Sequence, residues 1–201
     1  TPPAVSAVTA GSLSDIAGTI TWTTDEKADS TVNYGETTSM GAYLSDYTLT
    51  AQHSLNLSGL KEAKTYYYEV YSTDEAGNLA RDNNGGTLYT FTTINVPPVL
   101  TVSSSNGTET YYDTTVIYGT ATDHSGVASV TVNGTPATYR SSDGYYELSV
   151  SLNVGTNTFT VVATDTLGNA QTLTITVNRL EPPDLVMAAV AGPASAGTGG
   201  S

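Results

Sequence analysis

Ser72-Thr73-Asp74-Glu75-Ala76-Gly77-Asn78 and Ala163-Thr164-Asp165-Thr166-Leu167-Gly168-Asn169 are the two stretches on which the reading of this chain turns. In each, an apolar, β-branched or aromatic run leads into Thr-Asp-x-x-Gly-Asn, and a threonine-rich run follows. Asp and Asn bend the backbone through their own side chains, and Gly takes positive φ without steric penalty. Both stretches therefore read as tight turns near the close of β modules. Pro2-Pro3 and Pro97-Pro98 each open a segment that ends with this device, and Pro182-Pro183 marks a third opening. Repetition of that kind means similar modules joined head to tail.

Composition agrees. The chain has 201 residues, and sandwiches of this kind run to about 100 residues. Two modules and a remnant fit, divided as 1–95, 96–179 and 180–201. Hydrophobic content is 38%, as expected where each sheet has one wet face and only alternate residues point inward. The formal charge is −13 with six Lys and Arg residues. So few cations cannot track a phosphate backbone, which argues against nucleic acid as a partner. An anionic membrane surface repels such a chain, and no stretch approaches the ~20 apolar residues of a membrane span. Divalent cations and basic partners are electrostatically compatible. The absence of cysteine removes disulfides, thiolate zinc sites and thiol nucleophiles. The chain is expected to be a portion of something longer.

Strand signals run throughout, and helix signals are weak because Gly, Thr and Val recur. Gly18 to Thr23 alternates, placing Ile20 and Trp22 on one face. Thr31 to Gly35 does the same with Val32 and Tyr34, and Ser54 to Leu57 follows. Tyr66, Tyr68 and Val70 share one face of the next strand, with Tyr67, Glu69 and Tyr71 on the other. Leu88 to Thr92 closes the segment. With an opening strand near Val5 to Val8, about seven strands are expected. The second segment offers strands at Thr115 to Ala121, Ala128 to Val132, Tyr145 to Leu152, Asn157 to Ala163 and Thr172 to Val177. Asn133-Gly134 supplies positive φ at both central positions of a hairpin turn. The fold class expected is all-β: two tandem seven-stranded immunoglobulin-like β-sandwiches with a C-terminal extended tail.

Residues 2–93 resemble a fibronectin type III domain. That family places a core tryptophan on its second strand, matched by Trp22, and a leucine six residues before a corner tyrosine, matched by Leu60 and Tyr66. The resemblance implies that the Tyr66 hydroxyl bonds back to the turn backbone. Residues 97–178 are similar to a bacterial immunoglobulin-like domain, on the phrases Ser125 to Gly134 and Val154 to Val161. The run Glu181-Pro182-Pro183-Asp184-Leu185-Val186 is similar to the opening of a cell-adhesion-related module of prokaryotic surface proteins. Ala194 to Ser201 equally suits a flexible linker. An orphan strand at Asp184 to Ala191 could also pair with another subunit's sheet edge.

Candidate chemistry is sparse. His53 and His124 are the only histidines, and both read as ordinary surface or turn residues. No Gly-x-Ser-x-Gly elbow, His-Glu-x-x-His motif or phosphate loop occurs, and the chain is expected not to be an enzyme. Calcium is the candidate ion, with Asp123, Asp165 and Asn169 as its ligands at one end of the second module. Hard cations take carboxylate, amide and carbonyl oxygens. Asp74 and Asn78 repeat the pattern in the first module. The plainer account is that Asp and Asn cap their own turns. Outward tyrosines at Tyr67, Tyr71 and one of Tyr145 and Tyr146 could stack on sugars, or simply pack across strands.

These readings converge on a non-catalytic structural or adhesive segment of an extracellular multi-module surface protein. Its expected partners are a protein or glycan at the cell surface, with self-association also open. A filament subunit joined by strand exchange and an accessory region of a secreted polysaccharide-acting hydrolase are the alternatives. The connection Thr92 to Pro98 is short, apolar and proline-stiffened, which favours a semi-rigid rod.

Overall fold

A computed structural model describes residues 1–104 and 106–183. The expected strand at Asp184 to Ala191, and the remnant after residue 183, lie outside the described residues.

The first sandwich is built from β1 (Val5–Gly11), β2 (Ala17–Gly35), β3 (Ala42–Ser58), β4 (Thr65–Thr73), β5 (Leu79–Asp82) and β6 (Tyr89–Thr92). The expected strands at Gly18 to Thr23 and Thr31 to Gly35 are two halves of one 19-residue strand, β2. Buried residues alternate at Gly18, Ile20, Trp22 and Thr24, and resume at Ala28, Ser30 and Val32. Between them Asp25, Glu26 and Lys27 are all exposed, and the pairing with β3 slips register there. Such a bulge lets a strand bend and change partners. The first half of β2 pairs with β1 and with the C-terminal half of β3. The second half pairs with β4 and with the start of β3. One chain segment thus serves both layers, so a count of separate strands understates the architecture.

Between the layers lie Ile20, Trp22, Val32, Leu57, Tyr68 and Val70, each no more than 2% exposed. Burial of a large apolar side chain contributes about 1.5–3 kcal/mol relative to exposure. Trp22 also donates its indole N–H to Ser72 Oγ at 2.9 Å, so its polar edge is satisfied inside the core.

The second sandwich comprises β7 (Val99–Val102), β8 (Thr108–Thr110), β9 (Thr114–Thr122), β10 (Val127–Val132), β11 (Thr135–Pro136), β12 (Thr138–Arg140), β13 (Tyr145–Ser151), β14 (Gly155–Asp165) and β15 (Ala170–Arg179). One sheet has the order β11-β10-β14-β15-β8, with β8 parallel to β15. The other runs β12-β13-β9-β7. Nine strands form this sandwich where seven were expected, and three of them (β8, β11 and β12) are edge strands of two or three residues. Asn133 and Gly134 take φ of 48° and 78°, as a tight hairpin turn between β10 and β11 requires. The core is separate from that of the first sandwich and centres on Ile117, Ala121, Tyr146, Val161 and Ala163.

Two polar residues depart from the sequence reading. His53 is not a surface residue: it is 3% exposed, because it shares the inward parity of Leu55 and Leu57 on β3. Glu69 is 2% exposed on the face expected to be open. Its Oε1 accepts from the Tyr71 hydroxyl at 2.7 Å, and Oε2 from Arg81 Nε at 2.8 Å. Burial pushes the Glu69 carboxyl up, but the bonds from Tyr71, Arg81 and Asn33 outweigh it and hold the group below the usual range. Tyr71 is therefore tied into a surface network and does not stand free as a stacking platform.

Candidate inter-module acidic site

The end of the first sandwich that faces the connection is shaped by the loop between β3 and β4. The Tyr66 hydroxyl accepts from the Lys61 N–H at 2.9 Å, which fixes the start of that loop as the resemblance implied. Leu60 and Tyr66 are both buried. Ala63 takes φ of 50°, a left-handed conformation that glycine adopts more readily. The loop is also sewn to the outgoing connection. Thr93 Oγ1 donates to Lys61 O at 2.6 Å and accepts from Lys64 N–H at 3.0 Å. Ile94 N–H donates to Ser14 O at 3.0 Å. Glu62, at the loop's crest, accepts from the Val96 N–H on Oε1 at 2.6 Å. Its other oxygen, Oε2, is buried with no hydrogen-bond partner.

Two loops of the second sandwich meet this end. In the β9–β10 loop, Asp123 Oδ1 accepts from Ser125 N–H at 2.7 Å and from Ser125 Oγ at 2.5 Å. In the β14–β15 turn, Asp165 Oδ1 accepts from the Leu167 and Asn169 N–H groups, each at 2.8 Å. Thr166 laces the two loops together, donating its N–H to Gly126 O at 2.9 Å and its hydroxyl to Ser125 O at 2.8 Å. Across the joint His124 Nδ1 approaches Asp15 Oδ2 at 2.6 Å.

The outcome is a cluster of three carboxylates drawn from both sandwiches. One oxygen each from Glu62, Asp123 and Asp165 lies within 4.8 Å of the other two. Glu62 is 5% exposed and Asp165 2%. Burial pushes the Asp165 carboxyl up, and the bonds from Asn169, Leu167 and Gly168 overcome that and hold it below the usual range.

Of the three residues read from sequence, Asp123 and Asp165 are brought together. Asn169 stands beside them with its side-chain N–H donated to Asp165 Oδ2 at 2.9 Å, the capping role. The first sandwich repeats that cap: Asp74 accepts from Asn78 N–H at 2.8 Å and from its side-chain amide at 2.7 Å. These bonds hold the Asp74 carboxyl low as well. No second and third carboxylate gather at Asp74, and among the described residues the Glu62 cluster is the only acidic group of this kind. Glu62 was not visible from sequence. It sits in Leu60-Lys61-Glu62-Ala63 as one charged loop residue among several, and the one available signal was its place in the corner-tyrosine loop next to the connection.

Residues 98–179 match the family model of glucodextranase, domain B. No curated protein matches the chain. Among solved structures, it is similar to the fibronectin(III)-like modules of Clostridium thermocellum CbhA, at 13% identity over 87% of this chain and 95% of that one, with a TM-score of 0.36. It is also similar to chicken CNTN1 FN1-FN3 domains, at 14% identity over 90% and 68%, with a TM-score of 0.37. A third match is the sensor domain of the anti-sigma factor RsgI4 of Pseudobacteroides cellulosolvens, at 18% identity over 48% and 98%, with a TM-score of 0.32. The chain is two tandem all-β sandwiches, of which the second carries the family match. Among the described residues no helix is long and apolar enough to cross a membrane.

Proposed function

We propose that this chain is a non-catalytic spacer segment of an extracellular multi-module surface protein, holding neighbouring parts at a set separation. The observation that carries this reading is the connection itself. Residues 93–96 are bonded along their length to the first sandwich through Thr93, Ile94 and the Glu62 carboxylate. A connection held by its own hydrogen bonds transmits orientation, where a Gly/Ser tether would not. Partners at the cell surface, protein or glycan, would be presented or reached by what such a spacer carries.

A second reading, an accessory region of a secreted polysaccharide-acting hydrolase, is favoured by the match of residues 98–179 to a domain of a glucodextranase. Self-assembly by strand exchange would use the N-terminal strand or residues beyond 183.

Sedimentation velocity and small-angle scattering on the full chain, beside a version ending at Pro183, test the reading. A monomer with one narrow distribution of extended shapes is expected. A broad distribution of inter-module angles would overturn the spacer. Oligomers that vanish on truncation would make the chain a filament subunit, and saturable binding of soluble glucans would favour the hydrolase accessory.

A further inference from the structure

We propose that Glu62, Asp123 and Asp165 are carboxylate ligands of a calcium ion that bridges the two sandwiches at their joint. Ligands opposed across an ion at 2.3–2.6 Å stand about 4.6–5.2 Å apart. Three oxygens within 4.8 Å of one another therefore fit around one such ion. The buried, unpartnered Oε2 of Glu62 is the independent sign that something belongs there. A carboxylate oxygen taken out of water without a donor or cation is costly, and a cation supplies what the N–H groups around it do not.

The protein's own cations do not fill this role. Lys61 is paired with Glu36 at 2.7 Å and His124 with Asp15. Among the described residues no Lys or Arg ion-pairs with any of the three carboxylates. Lys64 lines the adjoining cleft and is the one competitor. The ligand chemistry selects the ion. All three donors are hard oxygens, which disfavours zinc, whose sites draw on nitrogen and sulfur. The ligands come from three loops on two bodies, a geometry more forgiving than the rigid octahedron magnesium demands.

Because the ligands belong to both sandwiches, ion affinity and inter-module orientation are coupled, each raising the other. The site stands on its own geometry and holds whether the chain is a spacer or a hydrolase accessory.

Calorimetric titration of calcium into the full, chelator-treated chain is the test. One ion per chain is expected, with a dissociation constant on the order of 10⁻⁴–10⁻³ M as in other extracellular modules. Glu62→Gln and Asp123→Asn should each weaken binding by about tenfold or more through loss of ligand charge. Asp74→Asn, in the twin turn without companion carboxylates, should leave it unchanged. Magnesium at equal concentration should bind more weakly. Matching unfolding curves in chelator show that the variants remain folded, and either junction variant serves if the other does not. Absence of saturable heat up to about 10 mM calcium, beyond the weakest extracellular sites, would overturn the proposal. So would binding untouched by both variants, which would place the ion elsewhere. An elongated monomer that binds no calcium would sink the site and leave the spacer standing.

Discussion

His53 lies flat against Trp22, ring centroids 4.8 Å apart and planes within 7°. Both nitrogens of the imidazole are used: Nε2 meets Thr24 Oγ1 and Nδ1 meets Ser30 Oγ, each at 2.8 Å. The Thr24 hydroxyl proton is committed to Glu26 O at 2.6 Å, so toward His53 this oxygen only accepts. Nε2 therefore carries a ring proton, and burial favours the neutral form, in which Nδ1 accepts from the Ser30 hydroxyl. Burial pushes the His53 pKa down, opposed in part by the charge of Asp29. The unfolded chain, titrating near 6.5, then binds more protons than the folded one. Stability contributed by the neutral ring is complete above about pH 6.5 and is lost as pH falls from there toward the folded pKa. Denaturant midpoints followed by Trp22, the single tryptophan, should fall as the pH is lowered below about 6.5, with a slope of at most about 1.4 kcal/mol per pH unit. His53→Gln should flatten that window. An unchanged slope would mean the ring is charged in the folded state.

Tyr66→Phe removes the acceptor of the Lys61 N–H while leaving the ring stacked on Phe91 at 5.5 Å. Loss of this part-buried hydrogen bond costs about 0.5–1.5 kcal/mol. The loss should appear in the Trp22 transition and not in unfolding of the second sandwich, whose core is separate. Because the same loop carries Glu62, the variant should also weaken any calcium binding modestly. Equal destabilisation of both sandwiches would show that they unfold as one unit.

What the sequence revealed and what it hid follow one physical line. Period-two alternation and turn chemistry are local, and they placed Ile20 and Trp22 on the core face and the Asn133-Gly134 turn correctly, while the Tyr66 corner came from the family resemblance. The fusion of two strands across Asp25 to Lys27 was hidden, because three charged residues read as a loop whether or not the ladder continues through them. The burial of His53 was legible in principle, since it keeps step with Leu55 and Leu57, but residue type overrode parity. The Glu62 cluster was not legible. Its members are 61 and 103 positions from Glu62 along the chain, and only packing of one sandwich's end loops against the other brings them together.

Gly119 sits on β9 opposite Val102 and Tyr146, where two neighbours close over it. A Cβ there would press into the carbonyl oxygen of Thr101 and lie 2.8 Å from the Tyr146 hydroxyl. That hydroxyl donates to the same carbonyl at 2.8 Å, so neither group can retreat without losing the bond. Gly119→Ala should cost about 1–3 kcal/mol as an overpacked core. The loss should register in far-ultraviolet circular dichroism of the second sandwich and leave the Trp22 fluorescence transition in place. A neutral result would mean that β7 can move away from β9.

The joint offers a contest between two kinds of bond. Thr93 Oγ1 is buried, donating to Lys61 O and accepting from Lys64 N–H. Thr93→Val keeps the shape and removes two part-buried hydrogen bonds, at about 0.5–1.5 kcal/mol each. His124 and Asp15 meet across the sandwiches, an ion pair only when the imidazole is protonated, and the His124 side chain is 59% exposed. An exposed pair contributes about 0–1 kcal/mol and is screened at physiological salt. Thr93→Val should therefore lower the Trp22 transition clearly, while His124→Ala moves it little and less still as salt is raised. The reverse ranking, with a strong salt dependence, would mean that charge between the sandwiches holds the joint. In that case the bonded connection would not set the orientation, and screening alone would free one module from the other.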